Sequence, residues 1–225
     1  MDTRPKLLIF DVNETLLDLT PLKQRINAKL DSTSAFDLWF PKLLQYSMVE
    51  TLTDTYRDFG EIGAATLKMT AQQLSVSLSE QEIKDTLSVI TQLQPHPDVV
   101  EGLEQLAAQG FRLVALTNGG QSTLEQQMQF SRLESYFDSL YSVEAVKRFK
   151  PHPKTYGYVL SQEEALPSET MLVAAHAWDI IGAQRVGLKT AFVQRPGKFL
   201  YSKSPGPSLV IKDSSFAPNQ FHSTP

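Results

Sequence analysis

Short, uninterrupted apolar runs recur along the chain. The first is Leu7-Leu8-Ile9-Phe10, which ends on the carboxylate of Asp11. A run without polar alternation suits a strand whose sheet is covered on both faces, as in parallel α/β folds. The same pattern predicts strands at residues 111–116, 171–175, 190–193 and 209–211, with a weaker one at 140–143. Between them the apolar positions take a helical spacing. Residues 97–109 carry Val99, Val100, Leu103, Leu106 and Ala107 as one stripe, with Pro97 near the start and Gly110 as the stop. Ser122-Thr-Leu-Glu125 is a capping-box pattern that opens another helix, and residues 153–162 and 178–186 predict two more. Strand, helix and strand at this spacing predict a doubly wound, right-handed, Rossmann-like α/β sheet.

Residues 20–93 break that rhythm. Thr20-Pro21 reads as an N-cap with proline behind it, and Ser79-Glu-Gln-Glu82 as a capping box. Between them lie helical stretches with almost no strand signal. The pattern therefore predicts a helical insertion of about 75 residues after the first strand. The chain returns through Pro95-His96-Pro97, whose prolines restrict the backbone and mark a boundary. The expected organisation is an α/β core of residues 1–16 and 95–213, a helical part at 17–94 and a polar tail at 214–225.

Composition narrows the function classes. The 225 residues hold 21 basic against 25 acidic side chains, a formal charge of -4, which gives no electrostatic footprint for nucleic acid or anionic lipid. With 41% apolar residues the chain can bury a proper core. No apolar run approaches the roughly 18 residues that span a bilayer, and the first residues do not read as a signal peptide. A soluble, cytoplasmic protein is expected. The absence of cysteine excludes disulfides, thiolate metal sites and cysteine nucleophiles.

In open α/β sheets ligands bind at the carboxyl ends of the strands. Those ends hold Asp11, then Thr117 and Asn118, then His176 with Asp179, while Lys150 lies in the loop Arg148-Phe-Lys-Pro151. Singly, each has a plain structural reading, since an Asp after a strand is commonly a cap or turn former. Jointly they predict one crevice.

Phe10-Asp11-Val-Asn-Glu-Thr15-Leu16, Leu116-Thr117-Asn118-Gly119, Lys150-Pro151 and His176-Ala-Trp-Asp179 resemble, in order and spacing, the four motifs of the haloacid dehalogenase-like hydrolases. The resemblance covers residues 5–212 and includes the helical cap between the first two motifs. Within that superfamily the chain looks most like the (S)-2-haloacid dehalogenases, with further echoes in Tyr56-Arg-Asp-Phe59 and in Tyr156 after Lys150-Pro151. The resemblance implies Asp11 as a nucleophile that forms an ester, with Lys150 as its electrostatic partner. It implies Thr15, Thr117 and Asn118 as polar contacts, a small-molecule substrate and no cofactor. Homodimers are common in the family, and the sequence neither supports nor opposes one.

Most members of the superfamily are magnesium-dependent phosphatases, which use a second acid two residues after the nucleophile and a Gly-Asp pair after the fourth strand. Here those positions are Asn13 and Ala174-Ala175. An amide cannot act as a general acid, so magnesium and phosphate chemistry form the second reading, and a binding protein without catalysis the third. The dehalogenases' cap arginine aligns with Phe40, and their fourth-motif Ser and Asn with Ala174 and His176. A histidine is a competent base for water, and Asp18 or Asp179 is the expected acid to orient it. Phe40, Phe59 and Trp178 are expected to wall the carbon–halogen bond.

Overall fold

The computed structural model describes residues 4–212; the expected polar tail lies outside the described residues. Among the described residues, six strands form one wholly parallel sheet: β1 (Leu7–Phe10), β2 (Arg112–Thr117), β3 (Ser139–Ser142), β4 (Thr170–Ala174), β5 (Lys189–Gln194) and β6 (Leu209–Lys212). They lie in the order β3-β2-β1-β4-β5-β6, so β1 is central and the order reverses beside it. Phe10 pairs with Ala115 on one side and Val173 on the other. All four residues of β1 and all five of β4 are buried, as their unbroken apolar patterns require. The weak run at 140–143 becomes the edge strand β3, half-buried at three of its four positions, and this explains its faint signal.

Between β1 and β2 the chain forms α1 (Thr20–Lys29), α2 (Ala35–Leu52), α3 (Phe59–Gln73) and α4 (Glu80–Leu87). Then α5 (Val99–Ala108), α6 (Gln121–Ser131), α7 (Pro153–Gln162) and α8 (Ala177–Arg185) alternate with the remaining strands. The chain leaves for α1 and returns from α4 side by side: Asp18 N–H donates to the Gln94 carbonyl and His96 N–H to the Leu16 carbonyl, both at 2.9 Å. Within the insertion, Trp39 Nε1–H donates to the Gly63 carbonyl at 2.9 Å and joins α2 to α3. Among the described residues, no helix is long and apolar enough to cross a membrane.

The Ser79–Glu82 capping box forms as the sequence reads. Two other helix starts differ. Thr20 is the first residue of α1, and its N–H and O–H both donate to Asp18 Oδ1, at 2.8 and 2.6 Å. Ser122 already lies inside α6, whose Gln121 N–H donates to Glu144, just beyond the end of the neighbouring β3, at 3.0 Å. In both cases a carboxylate reaches the positive end of the helix and displaces the hydroxyl cap, as expected of a charged acceptor.

Candidate active site

The carboxyl ends of β1, β2 and β4 deliver the sequence's candidates to one place. Asp11 follows β1 directly, its N–H still donating to the Val173 carbonyl at 3.0 Å. Asp179 lies in the first turn of α8, behind His176. Lys150 arrives from the loop before α7, which is fixed to the end of β2 because Lys150 N–H donates to Asn118 Oδ1 at 2.9 Å.

The Lys150 ammonium donates to Asp11 Oδ1 at 2.7 Å, Asp179 Oδ2 at 2.7 Å and the Leu116 carbonyl at 3.1 Å, which uses all three protons. Asp11 Oδ2 accepts from Thr15 Oγ1 at 2.6 Å and pairs with His176 Nδ1 at 3.0 Å. Thr15 Oγ1 itself accepts from Ala175 N–H at 2.9 Å. Tyr156 Oη donates to Asp179 Oδ1 at 2.5 Å. Asp11, Lys150, His176 and Asp179 are 5%, 1%, 6% and 0% exposed, so these charges interact in a medium that screens them little.

Burial alone would raise the Asp11 pKa, but Lys150 and His176 outweigh it and hold the carboxyl well below the usual carboxylate range. Lys150 is buried as well, yet the two carboxylates keep its pKa above that of a free lysine. Asp179 shifts upward, through burial and the nearby Asp11 charge.

Both ring nitrogens of His176 face carboxylates, Nδ1 towards Asp11 and Nε2 towards Glu14 Oε2 at 2.8 Å. Ionised carboxylates only accept, so both nitrogens donate and the ring is an imidazolium. Burial would lower its pKa; hydrogen bonds to Asp11 and Glu14 raise it to about 9. The expected orienting acids are engaged elsewhere, Asp18 at the start of α1 and Asp179 with Lys150 and Tyr156.

Glu14 is a residue that sequence reasoning missed, along with two cations. Lys198 Nζ donates to Glu14 Oε2 at 2.6 Å. The buried Arg195 donates twice to the Thr15 carbonyl, at 3.1 and 2.9 Å, and once to Asp98 at 2.7 Å, which holds the turn after β1 from behind. The chain separates Glu14 from His176 by 162 positions, and no local pattern announces such a pair.

The aromatic candidates divide. Phe40 and Phe59 line an apolar cavity with Trp39, Asn13, Gly119 and Gly120, where the helical insertion meets the strand ends. Trp178 is not part of that wall; it stacks on His176 with ring centroids 5.0 Å apart. Thr117 Oγ1 accepts from Gly119 N–H at 3.1 Å and so shapes the loop beside the cavity. Asn13 Oδ1 accepts from Gln127 Nε2 at 3.0 Å. Among the described residues, no group of three or more His, Cys, Asp or Glu side chains is placed to hold a metal ion.

Comparison with known proteins gives the chain a family. The family model for haloacid dehalogenase-like hydrolases matches residues 8–193, from β1 into β5. The chain belongs to that family. It is 28% identical over 209 residues to (S)-2-haloacid dehalogenase H-109 of Pseudomonas putida, covering 92% of this chain and 93% of that one. It is 30% identical over 194 residues to (S)-2-haloacid dehalogenase 4A of Burkholderia cepacia, covering 84% and 83%. A crystal structure of a dehalogenase with an intermediate complex superimposes with a TM-score of 0.87 at 25% identity, over 97% of each chain. This hydrolase therefore shares both its sequence and its fold with the dehalogenase branch of the family.

Proposed function

We propose that this hydrolase removes halide from small (S)-2-haloacids through an ester on Asp11 and releases (R)-2-hydroxyacids, with residues 17–94 acting as a cap over the site. The observation that carries the reading is the surroundings of Asp11: a buried carboxylate kept ionised by Lys150 and His176, with an apolar cavity nearby whose wall includes Asn13 and Phe40, the Phe40 ring 6.4 Å from that of His176. An ionised carboxylate attacks C2 from the side opposite the halogen, which inverts that carbon. Halide leaves without a proton, so the step needs no general acid at Asn13. Water then attacks Cγ of Asp11 and regenerates the carboxylate. Thr15 and Lys150 hold the nucleophile, Asp179 holds Lys150 and is itself held by Tyr156, and Thr117 and Asn118 fix the loops after β2 and before α7.

The geometry favours this over phosphoryl transfer. All four carboxylate oxygens of Asp11 and Asp179 already accept from Lys150, Thr15, His176 or Tyr156. A magnesium ion, which takes carboxylate oxygens, would have to displace those donors. The reaction proposed here runs without a cofactor.

Halide release from (S)-2-bromopropionate in EDTA, beside an Asp11→Asn control, tests the reading. Release that requires Asp11 and no metal is expected. Magnesium-dependent hydrolysis of p-nitrophenyl phosphate without halide release would overturn it.

A further inference from the structure

Glu14 is placed as an active-site residue would be. Its φ is +63°, in the left-handed region that side chains rarely adopt, and its turn is fixed on both sides. Glu14 N–H donates to the Leu17 carbonyl at 2.9 Å, and its own carbonyl lies 3.3 Å from His96 Nε2. Held so, its largely buried carboxylate reaches His176 Nε2 at 2.8 Å and Lys198 Nζ at 2.6 Å. The other side of Glu14 borders a polar cavity whose walls include Lys23, Asp37, His96, Arg195 and Lys198. Glu14 thus stands between a buried imidazole and an open polar space.

We infer that Glu14 is the positioning residue that makes His176 the base for hydrolysis of the Asp11 ester. The inference rests on the function proposed above. In the resting enzyme His176 is protonated between two anions. When Asp11 attacks the haloacid, the C2–O bond forms, the carbon–halogen bond breaks and halide carries off the negative charge. Asp11 is then a neutral ester, and only Glu14 still holds the imidazolium. The Nδ1 proton passes to water, while Glu14 keeps Nε2–H in place and fixes the tautomer whose free nitrogen faces Asp11. An attacking water gives its proton to Nδ1 and its oxygen to Cγ. When the tetrahedral intermediate collapses, the Cγ–O bond to the hydroxyacid breaks and the alkoxide leaves with a proton from His176. The new Asp11 carboxyl then returns its proton to His176. One halide and one proton are released for each water consumed. An acid that orients a histidine base in this way commonly contributes orders of magnitude in rate.

Glu14→Gln tests the assignment, with Glu14→Gly as a second variant that suits the left-handed backbone. Each is mixed with (S)-2-bromopropionate, and halide and enzyme mass are followed through the first turnovers. The inference expects a halide burst of about one per enzyme, ester mass accumulating on Asp11, and steady turnover about 10²-fold or more below wild type. In ¹⁵N spectra the His176 Nε2–H resonance should shift in Glu14→Gln. Steady turnover near wild type with no ester accumulation would overturn the role of Glu14 and leave the dehalogenase reading standing. So would a uniform loss of burst and turnover without ester, the sign of a purely structural residue. A wild-type enzyme that releases no halide would take down both.

Discussion

The Lys150 ammonium sits 2.7 Å from Asp179 and 2.7 Å from Asp11, so one cation joins the end of β1 to the first turn of α8. Lys150→Met would leave the buried Asp179 carboxylate with no cation and Asp11 with His176 alone. Losing one partner of a buried ion pair costs about 3–5 kcal/mol. Chemical denaturation should show a loss of that size. Halide release should fall by about 10²–10³-fold, the scale seen when a group that stabilises reaction charge is removed.

His176 makes stability depend on pH in a definite direction. Its pKa rises from 6.5 to about 9 on folding, so the folded state binds its proton more tightly than the unfolded state does. The resulting stabilisation is complete below about pH 6.5 and is lost as pH climbs through about 9, at about 3 kcal/mol in all. Asp11 acts at the other end: its depressed pKa adds stability above about pH 4 that disappears as the solution becomes more acid. Urea midpoints at pH 6 and pH 9.5 should differ clearly in wild type, and the difference should shrink in His176→Gln.

Gly182 fixes the back of the site. A Cβ at that position would lie 2.5 Å from both Pro151 Cβ and Tyr156 Oη. Pro151 follows Lys150, and Tyr156 holds Asp179, so Gly182→Ala must push on the two elements that position the ammonium. Overpacking of this kind costs about 1–3 kcal/mol. A thermal melt should show the loss, with a fall in kcat larger than any change in KM.

Phe40 both lines the cavity and stacks on Phe36, with ring centroids 5.5 Å apart and planes at 8°. Phe40→Ala should enlarge the cavity and shift preference towards longer 2-haloacids. The kcat/KM ratio between a C5 and a C3 substrate should rise by about tenfold, within the range a pocket contact of this size controls. An unchanged ratio would place the substrate's side chain elsewhere.

Much of this was legible in the chain because it depends on local pattern. The buried strands β1, β2, β4 and β5 show as apolar runs, and their ends carry Asp11, Thr117 and His176 to one edge of the sheet. What escaped depends on distance in sequence. Glu144 reaches the start of α6 from 23 positions away, where a local hydroxyl reads as the cap. Asp18 is only two positions from Thr20, and there the sequence reads as an acid for His176 what the fold uses at the start of α1. Trp178 follows His176 in the same motif, yet its ring stacks on the imidazole and leaves the cavity to Phe40 and Phe59. Glu14 lay inside the first motif and was passed over, since its partners His176 and Lys198 are 162 and 184 positions away. Arg195 supports the Thr15 carbonyl over a separation of 180 positions, and nothing near it in the chain reveals that role.

The central claim is that Asp11 becomes covalently linked to the substrate. Excess enzyme reacted once with (S)-2-bromopropionate in H₂¹⁸O, followed by mass spectrometry of the Asp11 peptide, tests it most directly. The account predicts ¹⁸O in the Asp11 carboxylate and unlabelled hydroxyacid, because the product's new oxygen comes from Asp11 and water replaces it there. Label in the hydroxyacid with none in Asp11 would mean that water attacks C2 itself, and would contradict the account.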